Sequence, residues 1–499
     1  MLQNFANLGD YVETDYTGSV TGRFDKAEVE LLLKAMSAND VTGTQTWDRT
    51  DLSAAPLKVE SLESTMKVLT AQPKHYPLFA KMAKKPVSNN VAEYLQLISY
   101  GNFDGGFLAE GELPEVSDSV YRRKAQHVKY MGITGGVTLQ AQLVQLGGGI
   151  ANMLAEETKN KSKALAQMIE YHLPFADDRV VPDNFRGLFS QLETESEYPT
   201  YNAYMNSRNV IDCRGEILKT EHCADATLSI MERYGFADTI ISHPAVFTNF
   251  SKRYHDKMIA RPLPADLTAG MWGPIVNTIQ TQNGVLNTMQ SNFFRFGQIK
   301  TSLTPAASSK APATPSVAPG VLATNESKFV GGEGYIYAIT AKNKYGESAL
   351  AYVNNGALVM TAANQAITLT PTRGTTSQYP ETGYCVYRSK PNPPAGVPLT
   401  DVQMYKIFEV GLEALTRGYD GAVAGSIADK DRFMAGTDQA WIVDWNSDQV
   451  FSWLQLAPMM KMNLAVTAPI HRFMVMIFGT PVIYAPLKCV RVINIGDKV

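Results

Sequence analysis

The chain has 499 residues, 45% hydrophobic and 19% charged, with a formal charge of −3 at pH 7. Such a length suggests about three domains, and the composition excludes a globally disordered chain. No basic excess marks a phosphate-gripping surface, which excludes tight nucleic-acid binding as the main task. The four cysteines, at 213, 223, 385 and 489, are too sparse for a disulfide framework, and cytosolic synthesis is expected.

The first fifteen residues carry Asp10, Glu13 and Asp15 and no basic start before an apolar run, so no signal peptide is expected. The stretch to Asn90 reads as an extended arm with one helix. Asp25 caps that helix, Glu28 stands three residues on, and Val29, Leu32, Leu33 and Met36 share a face. Pro56, Pro73, Pro77 and Pro86 follow with no sustained periodicity, so the stretch is expected to bury little of its own surface, either as a flexible tail or as an arm that lies across another subunit.

Residues 93–138 read as a long β-hairpin. An apolar strand, Tyr94 to Tyr100, leads to a tip with Gly101, Gly105, Gly106 and Gly111. Glu110, Glu112, Glu115 and Asp118 make the tip acidic, and Arg122, Arg123, Lys124 and Lys129 make the return strand basic. A hairpin this long is marginal alone and needs a partner surface. Leu139 to Leu173 reads as one helix ended by Pro174, on the order of 45 Å long. Gly147, Gly148 and Gly149 near its start each cost about 1 kcal/mol relative to Ala and suggest a break or a close backbone approach. Mixed α/β structure is predicted from 192 to 301. It has a helix over Ala224–Tyr234, a strand over Thr239–Ser242 and a helix over Pro244–Tyr254.

The composition then shifts. TSLTPAASSKAPATPSVAPG, from Thr301, is linker material, and Gly421 to Lys430 is a second small polar linker. Between them Tyr335/Tyr337/Ile339, Ile367/Leu369, Tyr384/Val386 and Tyr405/Ile407 alternate over short spans, which predicts a β-sandwich. Apolar strands resume at Trp441–Val443, Val450–Leu456, Phe473–Phe478, Val482–Tyr484 and Leu487–Ile495. Gly479 and Pro481 break the most apolar run, Phe473 to Pro486, so it reads as core strands and not as a membrane span. Residues 305–428 are therefore expected to be an insertion into a domain that begins before them and ends after them.

Catalytic constellations are not evident. The seven histidines form no zincin pair. Cys213, His222 and Cys223 cluster, but a closed zinc site needs four ligands, and core thiols beside a surface histidine are expected. Gly346-Glu347-Ser348 supplies only the first half of a nucleophile elbow, and no carboxylate pair stands out as acid and base. No catalytic, cofactor-binding or metal-binding residue is assigned, no cofactor is expected, and the chain is read as a structural protein rather than an enzyme.

Two stretches resemble known families. GEGYIYAITAKNKYGES, from Gly332, resembles the strand and turn of fibronectin type III domains. GYCVYRSKPNPP from Gly383, MYKIFEVG from Met404 and Tyr419-Asp420-Gly421 complete that pattern. The Gly-Glu-Ser element precedes the Tyr-Arg-Ser element, an order familiar in immunoglobulin-like modules of phage structural proteins. The rest of the chain resembles the major capsid proteins of tailed bacteriophages, the Hong Kong 97-type fold. The segments that carry this are GELPEVSDSVYRRKAQHVKY from Gly111, VTLQAQLVQLGGGIANMLAEETKNKSKALAQMI from Val137, YGFADTIISHPAVFTNFSKRY from Tyr234 and WLQLAPMMKMNLAVTAPIHRFMVMIFGTPVIYAP from Trp453.

The resemblance implies an α+β fold in named parts. These are an N-terminal arm over 1–92, an E-loop hairpin over 93–138 and a P domain with its spine helix over 139–191. An A domain follows over 192–304 and 429–470, interrupted by an immunoglobulin-like insertion over 305–428, and C-terminal strands fill 471–499. It also implies hexamers and pentamers in an icosahedral shell around double-stranded DNA, held without sequence-specific binding. Portal, scaffolding and decoration proteins are the implied partners, with no membrane. The implied place is the virion, after synthesis in the host bacterial cytoplasm. Inter-subunit contact is expected at Phe103, Phe107, Glu110, Glu112, Arg122, Arg123, Lys124 and Lys129, where opposite charges give register more than affinity. An outward-facing insertion whose removal still permits shells is expected as well. The rival readings are a tail or sheath component carrying the same sandwich, and a carbohydrate-active enzyme with a paired-carboxylate cleft.

Overall fold

A computed structural model describes residues 70, 72–101, 107–113, 116–143, 152–193, 209–254, 276–295, 298–300, 309–353, 356–362, 364–374, 379–394, 396–445, 449–465 and 468–497. The chain divides into two compact units, 1–69 with 144–152, and 70–143 with 153–499; every element below belongs to the second. The helix expected after Asp25, the glycines at 147–149, Glu115 and Phe103 lie outside the described residues. No helix among the described residues is long and apolar enough to cross a membrane.

The host part is built on two sheets. The first orders Lys84–Pro86, Phe451–Asn463, Ile470–Ile483 and Lys129–Thr138 side by side. A long helix, Met153–Phe175, packs Leu165, Ile169 and Leu173 onto it, against Phe473, Val475 and Ile477. The spacing of those helix residues is what places them on one face. The described helical parts are Leu139–Leu143 and Met153–Phe175, so the expected stop at Pro174 is corrected. The Ala176 N–H donates to His172 O at 2.8 Å, closing the last turn around the proline.

The second sheet is mixed, in the order Val210–Asp212, Cys489–Ile495, Asp438–Val443, Thr239–Ser242, Gly284–Gln290 and Thr278–Thr281. One face, with Ile241, Trp441 and Val443, joins the long-helix core. The other face, with Ile240, Ile442, Val490 and Val492, buries the helices Thr220–Met231 and Pro244–Arg253. Central strands buried on both faces read as continuous apolar runs, which is why these were visible in the sequence.

Three expectations are corrected here. The hairpin does not extend to 138. Val91–Ser99 pairs with Val120–His127, and the chain then changes sheets, because Val128 turns inward onto Ala92, Leu454 and Val482. Lys129–Thr138 pairs with Ile470–Ile483 instead. The end of the arm is not a low-burial tail, since Tyr76, Leu78, Phe79 and Met82 are buried. The buried Glu170 carboxylate accepts the N–H groups of Leu78 at 3.0 Å and Phe79 at 2.6 Å and the Ser291 hydroxyl at 3.0 Å. The apolar run across Gly479 and Pro481 is a single strand. Gly479 makes room for Trp453, whose Nε1 would stand 2.5 Å from an added Cβ, and Pro481 falls where pairing with Lys129–Thr138 has ended. Proline is tolerated where one strand edge is unpaired.

Between the host strands sits a lobe of two facing sheets. One holds Ser316–Ala323, Gln365–Thr372 and Ile427–Asp429. The other runs Gly346–Glu347, Tyr337–Asn343, Gly383–Arg388, Gln403–Gly411 and Gln298–Lys300, with Ala351–Tyr352 also paired to Tyr337–Asn343 as its sixth strand. Tyr337, Ile339, Val386, Ile367, Leu369 and Ile427 fill the space between them. Pairing thus reaches into both stretches that composition marked as linkers. The edge position of Ser316–Ala323 explains how Pro319, opposite Leu369, sits in a strand.

Candidate assembly surface

The hairpin is held at its base and bare at its end. At the base Ala92 and Val128 are buried with Leu454 and Val482. Tyr94 meets Tyr484 edge-on at 5.1 Å between centroids, and the Gln96 side-chain amide donates to Tyr484 O at 2.5 Å. Farther out the apolar side chains face solvent: Tyr100 is 87% exposed, Phe107 100%, Leu113 91% and Val116 95%. Exposed apolar surface gathered at one end of one element makes this end the candidate contact surface.

Register sorts the charged residues. Opposite partners share a face, and Gln96 stands opposite Arg122, Tyr94 opposite Lys124, and Leu95 opposite Arg123. The basic residues are therefore split between the two faces, as the two-residue period of a strand requires. Half-buried Arg122 and Lys124 lie on the face that carries Ala92, Tyr94 and Gln96. Arg123 lies on the opposite face, among exposed Leu95, Leu97 and Tyr121, and is ion-paired with Glu93. Glu110 and Glu112 are exposed at the tip, where the Glu112 carboxylate accepts the Ala109 N–H at 3.2 Å and so shapes the turn. Lys129 is outside the hairpin, and its ammonium donates to Pro182 O. The structure brings Arg123, Phe107, Glu110 and Glu112 to exposed hairpin surface and draws Arg122, Lys124 and Lys129 toward the body. The apolar outer face of Leu95, Leu97 and Tyr121 was missed, although alternation with Glu93 and Arg123 carries its signal.

A second exposed apolar area lies on the four-stranded sheet. Met459 packs into the long-helix core, so its neighbours Met460 and Met462 project to the other side with Leu456. There they stand opposite Met476 and Met474 in register. Methionine faces adapt to irregular partners.

The lobe holds a dense group of buried charges. Lys406 is ion-paired with Glu347 at 3.2 Å and with Glu409, and Lys342 with Glu409 at 2.7 Å. The Tyr387 hydroxyl donates to Glu347 at 2.7 Å and the Thr340 hydroxyl at 3.0 Å. Burial pushes both carboxyls up, but the two ammonium groups more than reverse this and hold each at about 2. Glu347 and Glu409 are the nearest thing to the paired carboxylates of the enzyme reading, and neither carries a donatable proton at neutral pH. Ligand atoms of Glu347, Cys385 and Glu409 lie within 4.8 Å of one another, but the Lys406 and Lys342 ammonium groups already neutralise them. Burial also raises the Cys385 thiol, which disfavours the thiolate a metal needs. The Cys213 Sγ stands 3.2 Å from His222 Nδ1, and burial pushes Cys213 and Cys223 up to about 12, as befits core thiols.

No protein-family profile matches the chain. The major capsid proteins of Staphylococcus phage K and Staphylococcus phage S25-3 are each 25% identical to it over 190 residues. That match covers 38% of this chain and 39% of either relative's length. Among solved structures, an encapsulin complex from Synechococcus elongatus aligns over 89% of this chain and 96% of its own, at TM-score 0.43 and 7% identity. The capsid of a native GTA particle aligns over 89% and 98%, at TM-score 0.44 and 6% identity. The capsid of cyanophage P-SCSP1u aligns over 91% and 96%, at TM-score 0.41 and 7% identity.

Proposed function

We propose that this chain is the major capsid protein of a tailed bacteriophage, a non-enzymatic subunit with a Hong Kong 97-type fold. The observation that carries the reading is the 25% identity over 190 residues to proteins named for that role. The hairpin supports it physically. An apolar end that is exposed among the described residues gains by lying on a neighbour, and shells repeat such contacts under closed symmetry. Hexamers and pentamers of the chain form an icosahedral wall around double-stranded DNA in the virion, after synthesis in the host bacterial cytoplasm. A formal charge of −3 suits a wall that encloses DNA without gripping it. Portal, scaffolding and decoration proteins are the further partners. In this reading 1–92 is the arm, 93–138 the E-loop segment, 139–191 the P domain, 192–304 and 429–470 the A domain, and 471–499 the C-terminal strands. The lobe, 305–428, is an immunoglobulin-like insertion. Its two facing sheets around one apolar core support that assignment.

Negative-stain microscopy of the purified full chain, with sedimentation, tests the proposal. Closed shells support it. Tubes would replace it with a tail or sheath component, and a monodisperse monomer at all concentrations would overturn it.

A further inference from the structure

The lobe's six-stranded sheet has one face in the lobe's own core. Its other face carries Lys342, Cys385, Tyr387, Lys406 and Glu409; the lobe's own Leu350, Tyr352, Leu399 and Val402 pack around Cys385 and Tyr387, while Lys342, Lys406 and Glu409 lie near His172 of the long helix. The host meets this sheet at the end where Gly383 and Gly411 lie. Gly383 and Gly411 stand opposite each other in register and seat against the turn after the long helix. An added Cβ at Gly411 would lie 2.1 Å from Arg179 O, and one at Gly383 would lie 2.7 Å from Val180 Cγ1. Beside this seat Lys344 pairs with Asp183 at 3.0 Å.

A second seat lies at the edge of the six-stranded host sheet. Arg214, held at φ 47°, donates to Asp431 O at 3.0 Å and to Lys328 O at 2.9 Å, and pairs with the Asp431 carboxylate at 3.2 Å. Asp431 in turn holds Arg388 of the lobe, which is 1% exposed and also paired with Asp429. Asp212 adds an ion pair to Lys328 at 2.6 Å.

We infer that the lobe is no tethered appendage: the two seats join it to the host as a single cooperative unit, so that it keeps one fixed orientation and opens only when the host opens. Burying two balanced charge clusters is costly unless every partner stays in place. A lobe that swung away would part the Lys406–Glu409 cluster from the long helix at His172 and split Arg214 from Asp431. Cooperative units are set by such shared buried contacts rather than by chain continuity. The inference does not depend on the capsid reading.

Hydrogen exchange of the full chain across a denaturant series tests it. The slowest amides of Tyr337–Asn343 and Gly383–Arg388 in the lobe, and of Asp438–Val443 and Cys489–Ile495 in the host, are expected to share one opening free energy and one denaturant slope. In Gly411→Ala and in Arg214→Ala the lobe amides are expected to exchange faster while the host amides keep their protection. Should Gly411→Ala fail to fold, Arg214→Ala carries the comparison alone. A separate, lower-energy opening of the lobe in the unaltered chain overturns the inference, and so does joint behaviour of lobe and host in every folded variant.

Discussion

The guanidinium of Arg491 lies 4.3 Å from the ring centroid of Phe189. The ring of Phe433, where the chain leaves the lobe, stands 5.1 Å from the same guanidinium. Its Nε donates to Gln439 Oε1 at 2.9 Å. One planar cation thus joins the helix Leu188–Glu193, the host strand Cys489–Ile495 and the lobe exit. Lysine keeps the charge but not the plane or the fork of donors. Arg491→Lys is expected to lower stability by about 1–3 kcal/mol, the sum of a desolvated cation–π contact and a buried hydrogen bond. Denaturant unfolding followed by tryptophan fluorescence reads the loss. An unchanged midpoint would show that the stacking contributes nothing.

The Lys406 cluster on the lobe's six-stranded sheet predicts an asymmetry. Lys406→Met removes one cation and leaves Glu347 and Glu409 with only Lys342 between them. Breaking a buried pair from one side costs about 3–5 kcal/mol. The double change Lys406→Met, Glu347→Gln leaves the Lys342–Glu409 pair balanced and is expected to recover most of that loss. Thermal unfolding of the two variants side by side checks this, and equal losses would contradict it.

His172 near the end of the long helix makes stability pH-dependent. Burial and the nearby Lys342 and Lys406 push the imidazole down to about 4, against the pull of Glu409. In the unfolded chain the ring titrates at about 6.5. Between these values the unfolded chain binds a proton that the native chain refuses. The contribution is therefore present above 6.5 and lost as pH falls through 4, by at most about 3 kcal/mol. Glu347 and Glu409, held at about 2, act in the same direction but in a lower window, below the ordinary glutamate value. His172→Phe is expected to flatten the unfolding free energy between pH 6.5 and 4.5 while leaving the steeper fall below it. A variant with the original slope would place the titration elsewhere.

How far the sequence reached depends on what kind of signal each element sends. Strands buried on both faces, such as Asp438–Val443 and Cys489–Ile495, announce themselves by apolar runs alone. Val91–Ser99 and Val120–His127 were visible as a hairpin, but not the exit at Val128, because a change of sheet leaves no local trace. Ser316–Ala323 looked like a linker because its proline and glycine describe an edge, and being an edge is a tertiary fact. The buried clusters around Lys406 and Arg388 were illegible for the same reason. Their members are scattered from 214 to 431 and read singly as surface charges.

The hairpin's two faces give different expectations for charge reversal. Arg123→Glu on the outer face sets a carboxylate beside Glu93, which costs the isolated chain little because an exposed pair is worth only about 0–1 kcal/mol. It changes the surface that a neighbour would meet. The triple reversal Arg122→Glu, Arg123→Glu, Lys124→Glu also disturbs the face toward Tyr94 and Gln96. If the hairpin is the contact between subunits, Arg123→Glu alone reduces shell yield while the subunit's unfolding midpoint stays put. Sedimentation beside thermal unfolding separates the two effects, and a normal yield of shells would remove Arg123 from the interface.

Removing the lobe tests how deeply it is set into the host. The chain composition favours a dispensable module, and bridging 304 to 429 with a short Gly/Ser segment would then leave shells intact. The contacts argue for the opposite outcome. The deletion strips Gln298–Lys300 of its partner Gln403–Tyr405 and uncovers Val180, which is 1% exposed in the intact chain. It also takes Arg388 from Asp431, leaving a carboxylate that burial already pushes up with only Arg214 to balance it. His172 loses the surface that keeps it dry. Each loss is worth on the order of 1–3 kcal/mol, and together they rival the 5–15 kcal/mol that holds a typical domain folded. The expected result is chain found in the insoluble fraction, measured against the intact chain expressed in parallel. Soluble, shell-forming protein from the deletion would mean that the host relaxes around the gap and that the seats merely steady the lobe.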